Sequence, residues 1–117
     1  MHQPARDPED LARFFVERAN AGDVDGLVAL YEPNAILVRR NGTTAVGSPQ
    51  IRAYYTAMLA RVSTFTPGEQ SPALRNGDIA LTSSRLINGN VTAEIARRQP
   101  DGSWRWIIDQ PALSKPI

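Results

Sequence analysis

Two carboxylates stand apart from the others by their surroundings. Glu94 lies in Val91-Thr92-Ala93-Glu94-Ile95, among small and apolar neighbours, and Asp109 closes the run Trp104-Arg105-Trp106-Ile107-Ile108-Asp109. A carboxyl group in an apolar setting resists ionisation, so its pKa rises and it becomes able to give and take protons near neutrality. Each has a structural reading beside the chemical one. Glu94 could equally pair with Arg39, Arg85 or Arg105 on a neighbouring strand, and Asp109 with Arg13 or Arg52 or with backbone near the first helix. Both readings stand open for both residues. Arg39 on a cavity face would favour a carboxylate or an enolate-like oxygen, whereas beside Arg40 in a hairpin it is a solvated charge. Tyr54 and Tyr55 offer one hydroxyl to a pocket and one ring to the core. Phe15, Leu37 and Ile107 are the expected apolar wall.

Composition removes most other chemistry. The 117 residues hold no cysteine, and the single histidine is His2. Disulfides, thiolate nucleophiles, histidine bases and zinc-type clusters are therefore not expected, nor is any cofactor. Thirteen basic against twelve acidic residues, with only Arg39-Arg40 and Arg97-Arg98 as dense basic spots, fall short of a nucleic-acid surface. No apolar run approaches the ~20 residues of a membrane span. The polar N-terminus does not read as a signal peptide, so a cytoplasmic location is the expectation. The length suits one domain, residues 1–117.

These residues need elements to hold them. Residues 7–23 read as a helix: Pro8 suits its first turn, Leu11, Phe14, Phe15 and Ala19 form one stripe, and Gly22 ends it. A short helix follows to Glu32, stopped by Pro33. A strand over 35–40 turns at Asn41-Gly42 and returns over 43–46. Ser48-Pro49 opens a third helix, with Ile51, Tyr54, Tyr55, Met58, Leu59 and Val62 on one face. Strands are then expected over 64–74, 79–87, 91–99 and 104–110, parted by short Asn-Gly and Pro-Asp-Gly turns that favour antiparallel neighbours. The economical packing is α+β: a cone-shaped barrel in which three N-terminal helices sit on a strongly curved antiparallel sheet, with a pocket where the cone opens.

That order, with the run Asn20-Ala21-Gly22-Asp23-Val24-Asp25-Gly26-Leu27-Val28-Ala29-Leu30-Tyr31, resembles the ketosteroid isomerase-like members of the nuclear transport factor 2-like superfamily. Gly47 and the later Ile51-Arg52-x-Tyr54-Tyr55 look like the family's third helix. The ending Pro100-Asp101-Gly102-Ser103-Trp104-Arg105-Trp106 is similar to SnoaL-like proteins of uncharacterised function. The resemblance implies the fold over nearly the whole chain and leaves the reaction open, since this fold hosts many. Steroid isomerisation is not expected. Aligned on the Ala-Gly-Asp junction, the family's tyrosine falls on Phe15 and its base on Arg39, neither of which can do the work. Only Glu94 keeps a counterpart, to the second acid. An epoxide hydrolase of this fold would need Arg and Asp two apart on a strand, and no strand here carries that spacing.

Two readings of function remain. In the first, a small hydrophobic or weakly anionic ligand enters an apolar pocket lined by Phe15, Leu37, Arg39, Tyr54, Tyr55 and Ile107. Glu94 or Asp109 then transfers a proton as a lone carboxylate in an isomerase, cyclase or hydrolase. In the second, the chain is a dimeric interaction module with a vestigial cavity. Charged groups satisfied as ion pairs would favour the second, and an isolated carboxylate among apolar groups the first. Strict alternation along the last strand puts Trp104 and Trp106 with Ile108 on the face away from Asp109. A homodimer through that tryptophan face, usual in the superfamily, is therefore expected.

Overall fold

The computed structural model describes residues 2–114, as three helices and eight strands. Their order is α1 (Asp10–Asn20), α2 (Val24–Val28), β1 (Tyr31–Val38), β2 (Thr44–Val46), α3 (Gly47–Leu59), β3 (Glu69–Gln70), β4 (Leu74–Asn76), β5 (Ile79–Thr82), β6 (Ser84–Arg85), β7 (Val91–Arg98) and β8 (Trp104–Ser114).

Helix α1 buries Leu11, Phe14 and Ala19 as the spacing requires, and Gly22 beyond it takes the left-handed backbone at φ +69°. Its start lies later than residue 7, because the Asp10 carboxylate accepts the backbone N–H groups of Arg6 and Asp7, both at 3.1 Å. Asp23 caps α2 by accepting the Gly26 N–H at 2.9 Å. This helix ends at Val28 rather than Glu32, because Tyr31 is taken into β1 opposite Trp106 of β8. Pro33 sits where β1 slips against β8, between Tyr31 and Ile36, so its missing N–H interrupts no regular ladder.

The strands form one sheet in the order β2-β1-β8-β7-β5-β4, with β6 also on β7 and β3 on β6. The expected cone-shaped barrel on a strongly curved sheet is not what forms. The sheet is open, neither closed nor strongly curled, and its end strands β2 and β4 are three residues each and do not meet. The strand expected over 64–74 carries Pro67 and Pro72, and only β3 and β4 survive from it, too short to carry the sheet round. Nor is the sheet wholly antiparallel, because β1 and β8 run parallel. The helices α1 and α3 and residues 65–68 close over one face, so enclosure comes from that layer and not from sheet curvature.

One irregularity decides which side chains lie under that layer. Along β7 and β8 the partners run Arg98↔Trp104, Ala96↔Trp106, then Ile95↔Ile108 and Glu94↔Asp109. Ile107 is thus an extra residue, a β-bulge, and it reverses the alternation of β8. Trp104, Trp106 and Asp109 all turn to the covered face, at 4%, 4% and 6% exposure. The tryptophans therefore do not form an exposed face for a dimer, as strict alternation had suggested. The uncovered face carries instead a row of cross-strand pairs, Val46–Ile36–Ile108–Ile95–Leu81–Leu74. Five of the six are 38–70% exposed, and Ile95 is partly buried.

Candidate functional site

A cavity of about 660 Å³ lies between the sheet, α1, α3 and residues 65–68. Aromatic and aliphatic groups dominate it: Phe15, Tyr54, Tyr55, Met58, Phe65 and Leu37. Phe15 packs at 5.9 Å on both Tyr55 and Phe65, tying the two helices to the mouth segment. Asn20 fixes that segment by two bonds to the Phe65 backbone, at 2.7 and 3.0 Å. Arg13 and Glu17 line the cavity from α1 and face each other at 3.8 Å, so they add no net charge.

Glu94 and Asp109 enter this apolar space side by side. They are direct cross-strand partners on β7 and β8, which places Cβ atoms about 5 Å apart. Among the described residues neither carboxyl is paired with an arginine or lysine; their partners are hydroxyls. Thr82 Oγ1 donates to Glu94 Oε1 at 2.6 Å, and Tyr31 donates to Asp109 Oδ2 at 2.5 Å. The Tyr31 hydroxyl also lies 2.5 Å from that of Tyr55. Since the one Tyr31 proton goes to Asp109, Tyr55 is the donor in that bond. A directed chain Tyr55→Tyr31→Asp109 results, fully inside the protein.

The electrostatics follow from burial. Loss of water and the neighbouring Glu94 charge push Asp109 up to about 7, with the Tyr31 bond opposing. Burial raises Glu94 as well, against bonds from the Thr82 and Thr92 hydroxyls. Like charges this close cannot both ionise easily, so near neutral pH the pair holds about one proton between two carboxyls. Burial, and then the Asp109 charge, hold both Tyr31 and Tyr55 well above the ordinary phenol value, so both keep their protons.

Of the residues read from the sequence, Phe15, Leu37, Tyr54, Tyr55, Glu94 and Asp109 line this cavity, and Arg39 and Ile107 do not. Arg39 stays in the hairpin, donating to Thr44 O at 2.6 Å and Thr43 Oγ1 at 3.2 Å. With it goes the reason for an anionic ligand. Ile107 is the bulge itself, partly buried off the cavity wall. Three contributors escaped the sequence reading: Tyr31, Thr82 and Trp106. Helical spacing with Leu27 and Val28 puts Tyr31 on a helix, and strict alternation puts Trp106 on the face away from Asp109. Thr82 carries no distinctive signal beyond its register opposite Glu94. Among the described residues no group of three or more His, Cys, Asp or Glu could hold a metal, and no helix is long and apolar enough to cross a membrane.

Comparison places this architecture. No curated protein matches the chain. A ketosteroid isomerase-like protein of Erwinia carotovora atroseptica superposes with a TM-score of 0.70 at 18% identity, covering 86% of this chain and 88% of the other. A Nostoc punctiforme protein of unknown function with a cystatin-like fold gives 0.72 at 22%, over 92% and 90%. A nuclear transport factor 2-like protein of Novosphingobium aromaticivorans gives 0.58 at 22%, over 86% and 75%. At such identities the likeness speaks for the fold alone. The SnoaL-like domain family matches residues 11–107. With most of its length matched, this chain belongs to the SnoaL-like domain family.

Proposed function

We propose that this chain binds a small, uncharged, largely apolar molecule in the covered cavity and moves a proton within it. The observation that carries the reading is the Glu94–Asp109 pair: two buried carboxyls opposite each other, free of cations, in an aromatic pocket. A structural ion pair would bring its own arginine. Here three of the candidate arginines are engaged elsewhere, Arg39 on hairpin backbone, Arg13 on Asp10 at 3.0 Å and Arg52 on Asp25, and among the described residues neither Arg85 nor Arg105 forms an ion pair with either carboxyl.

A pair sharing one proton offers an acid and a base at once. The ionised member takes a proton from a carbon beside a carbonyl, and the protonated member gives one to the carbonyl oxygen, forming an enol. In a β,γ-unsaturated carbonyl compound, return of the first proton to the far carbon, while the enol oxygen gives its proton back to the carboxylate that supplied it, completes an isomerisation. The pair has then given two protons and received two, and no co-reactant is needed. The pair thus replaces the lone carboxylate expected from sequence.

Exchange of the ring α-hydrogens of 2-tetralone in deuterated water, followed by NMR, tests this. Wild type should accelerate exchange, and Glu94→Gln and Asp109→Asn should each lose a factor of about 10² to 10⁴. Exchange undiminished in both variants would sink the reading.

A second property has its own support. The uncovered row from Val46 to Leu74 crosses six strands, roughly 24 Å at ordinary strand spacing. Of the two neighbouring rows on the same face, the one holding Val38, Gln110, Ala93 and Ser83 carries no charge, and the other holds Arg97 opposite Arg105, with Arg97 paired to Glu32. An apolar, uncharged, self-similar strip of this breadth suits a second copy of the chain, and we propose a homodimer through it in place of the tryptophan face.

A further inference from the structure

Three buried side-chain polar atoms lack a hydrogen-bond partner among the described residues: Gln70 Nε2, Asn90 Oδ1 and Trp106 Nε1. Two of the three belong to residues lining the cavity, and both of those are donors. A buried donor without an acceptor carries the full loss of its hydration, so such groups are rare and concentrate where something outside the chain completes them.

Trp106 is the more telling. Its ring is 4% exposed and packs on Tyr31 at 5.4 Å between centroids, so its position is set by the core and not by solvent. The bulge at Ile107 puts it on the same face of β8 as Asp109, three residues away. Regular alternation would have left the indole and the carboxyl on opposite faces. An apolar ring of similar shape would fill the core equally well, and the N–H is what distinguishes tryptophan there. Gln70 comes from the short strand β3, joined through β6 to β7, and its orphan donor belongs to the lining of the same cavity.

We infer that Trp106 Nε1, assisted by Gln70 Nε2, binds an oxygen of the ligand, and that the ligand is a neutral carbonyl compound. This rests on the ligand-binding reading of the same cavity. The chemistry of the wall argues for that class on two counts. Donors without acceptors call for a ligand oxygen, and the two carboxyls, with Arg13 at the wall offset by Glu17, reject an anion. Trp106 touches the ligand and orients it; Glu94 and Asp109 move the proton.

The test uses 2-tetralone and tetralin, which share a ring system and differ in the carbonyl oxygen. The chain has two tryptophans, so a ¹⁵N-labelled sample shows two indole N–H resonances, assigned through bonds without any variant. 2-Tetralone should move the Trp106 indole resonance downfield and leave Trp104 in place, and tetralin should not shift Trp106 in that direction. In Trp106→Phe the preference for 2-tetralone over tetralin should fall about tenfold, as when a ligand oxygen loses a buried donor. Gln70→Leu, further from the core, should lower it by a smaller factor and guards against a folding defect in the first variant.

A bound 2-tetralone that leaves the Trp106 resonance unmoved overturns the inference, and so does tetralin producing the same shift. In either case α-hydrogen exchange that persists keeps the proton-transfer reading intact. No response to either compound at millimolar concentration overturns both.

Discussion

Burying a carboxyl that titrates near 7 makes the fold weaker as the solution becomes more alkaline, and the size of that effect can be worked out. Asp109 rises from 3.8 to about 7 in the folded chain, chiefly because burial denies its charge water, and then because Glu94 repels it. A raised carboxyl pKa means that the folded state holds a proton which the unfolded state has already released. Its stabilisation is therefore complete below about pH 4 and is lost as pH rises through 7. Linkage over these two values gives a loss of about 3 kcal/mol between pH 5 and pH 8, or roughly 10 °C in melting temperature for a chain of this size. Glu94 shifts in the same direction and steepens the fall. The carboxyls held below their ordinary values, Asp10, Asp23 and Glu32 among them, act in the opposite sense but only in acid, beneath the window that matters here. Asp109→Asn removes the titrating group and keeps an oxygen for Tyr31, while Glu94 stays raised by its burial. Urea denaturation at pH 5, 6, 7 and 8 should show the wild type weakening across the series and the variant weakening distinctly less, by the part that the burial of Glu94 contributes. The two should lie within about 1 kcal/mol of each other at pH 5, with the variant the more stable at pH 8. A wild-type curve that is flat or rising over this range, or a variant that follows it step for step, would refute the burial of a protonated Asp109.

Two further outcomes are expected. Tyr31→Phe takes away the hydroxyl that favours the ionised form of Asp109, so the alkaline limb of the exchange rate against pH should move upward from about 7. The variant should also lose about 1–3 kcal/mol of stability, because the Tyr55 hydroxyl loses its acceptor. An unchanged pH profile would mean that the tyrosine chain does not govern the pair. Ile108→Lys puts a charge at the middle of the uncovered apolar row, which should convert a dimeric mass in sedimentation equilibrium to a monomeric one with the fold intact. A monomeric wild type at tens of micromolar would dispose of that interface.

Much of the frame was visible in residue order. The stripe on α1, the turn at Asn41-Gly42 and the apolar face of the third helix each come from local preferences acting over a few residues. Tyr31 was not legible in that way. Leu27, Val28 and Tyr31 have helical spacing, and only the parallel pairing with β8, more than seventy residues on, draws Tyr31 into a strand and its hydroxyl toward Asp109. The curvature is not legible for a related reason. Open and closed sheets share the same alternation and turns, and the difference lay in how much of 64–74 two prolines would let pair.

The site itself turns on the parity of one strand. The hairpin between β7 and β8 sets Arg98 opposite Trp104 and Ala96 opposite Trp106, a register that, if continued, brings Glu94 opposite Ile108. Asp109 would then stand on the far face, as strict alternation along 104–110 implied, and the two carboxyls would never meet. The extra residue at Ile107 moves every later side chain by one place. It brings Asp109 opposite Glu94, sends Ile108 out to the apolar row and leaves Trp106 beneath the helices. A single inserted residue therefore creates the carboxyl pair, supplies the indole N–H on the same wall and completes the outer strip between Ile36 and Ile95. No local propensity marks it, since Trp106-Ile107-Ile108 reads as unbroken strand. The bulge is stabilised only by what it allows: a cavity face that gathers the polar groups and an outer face that sheds them.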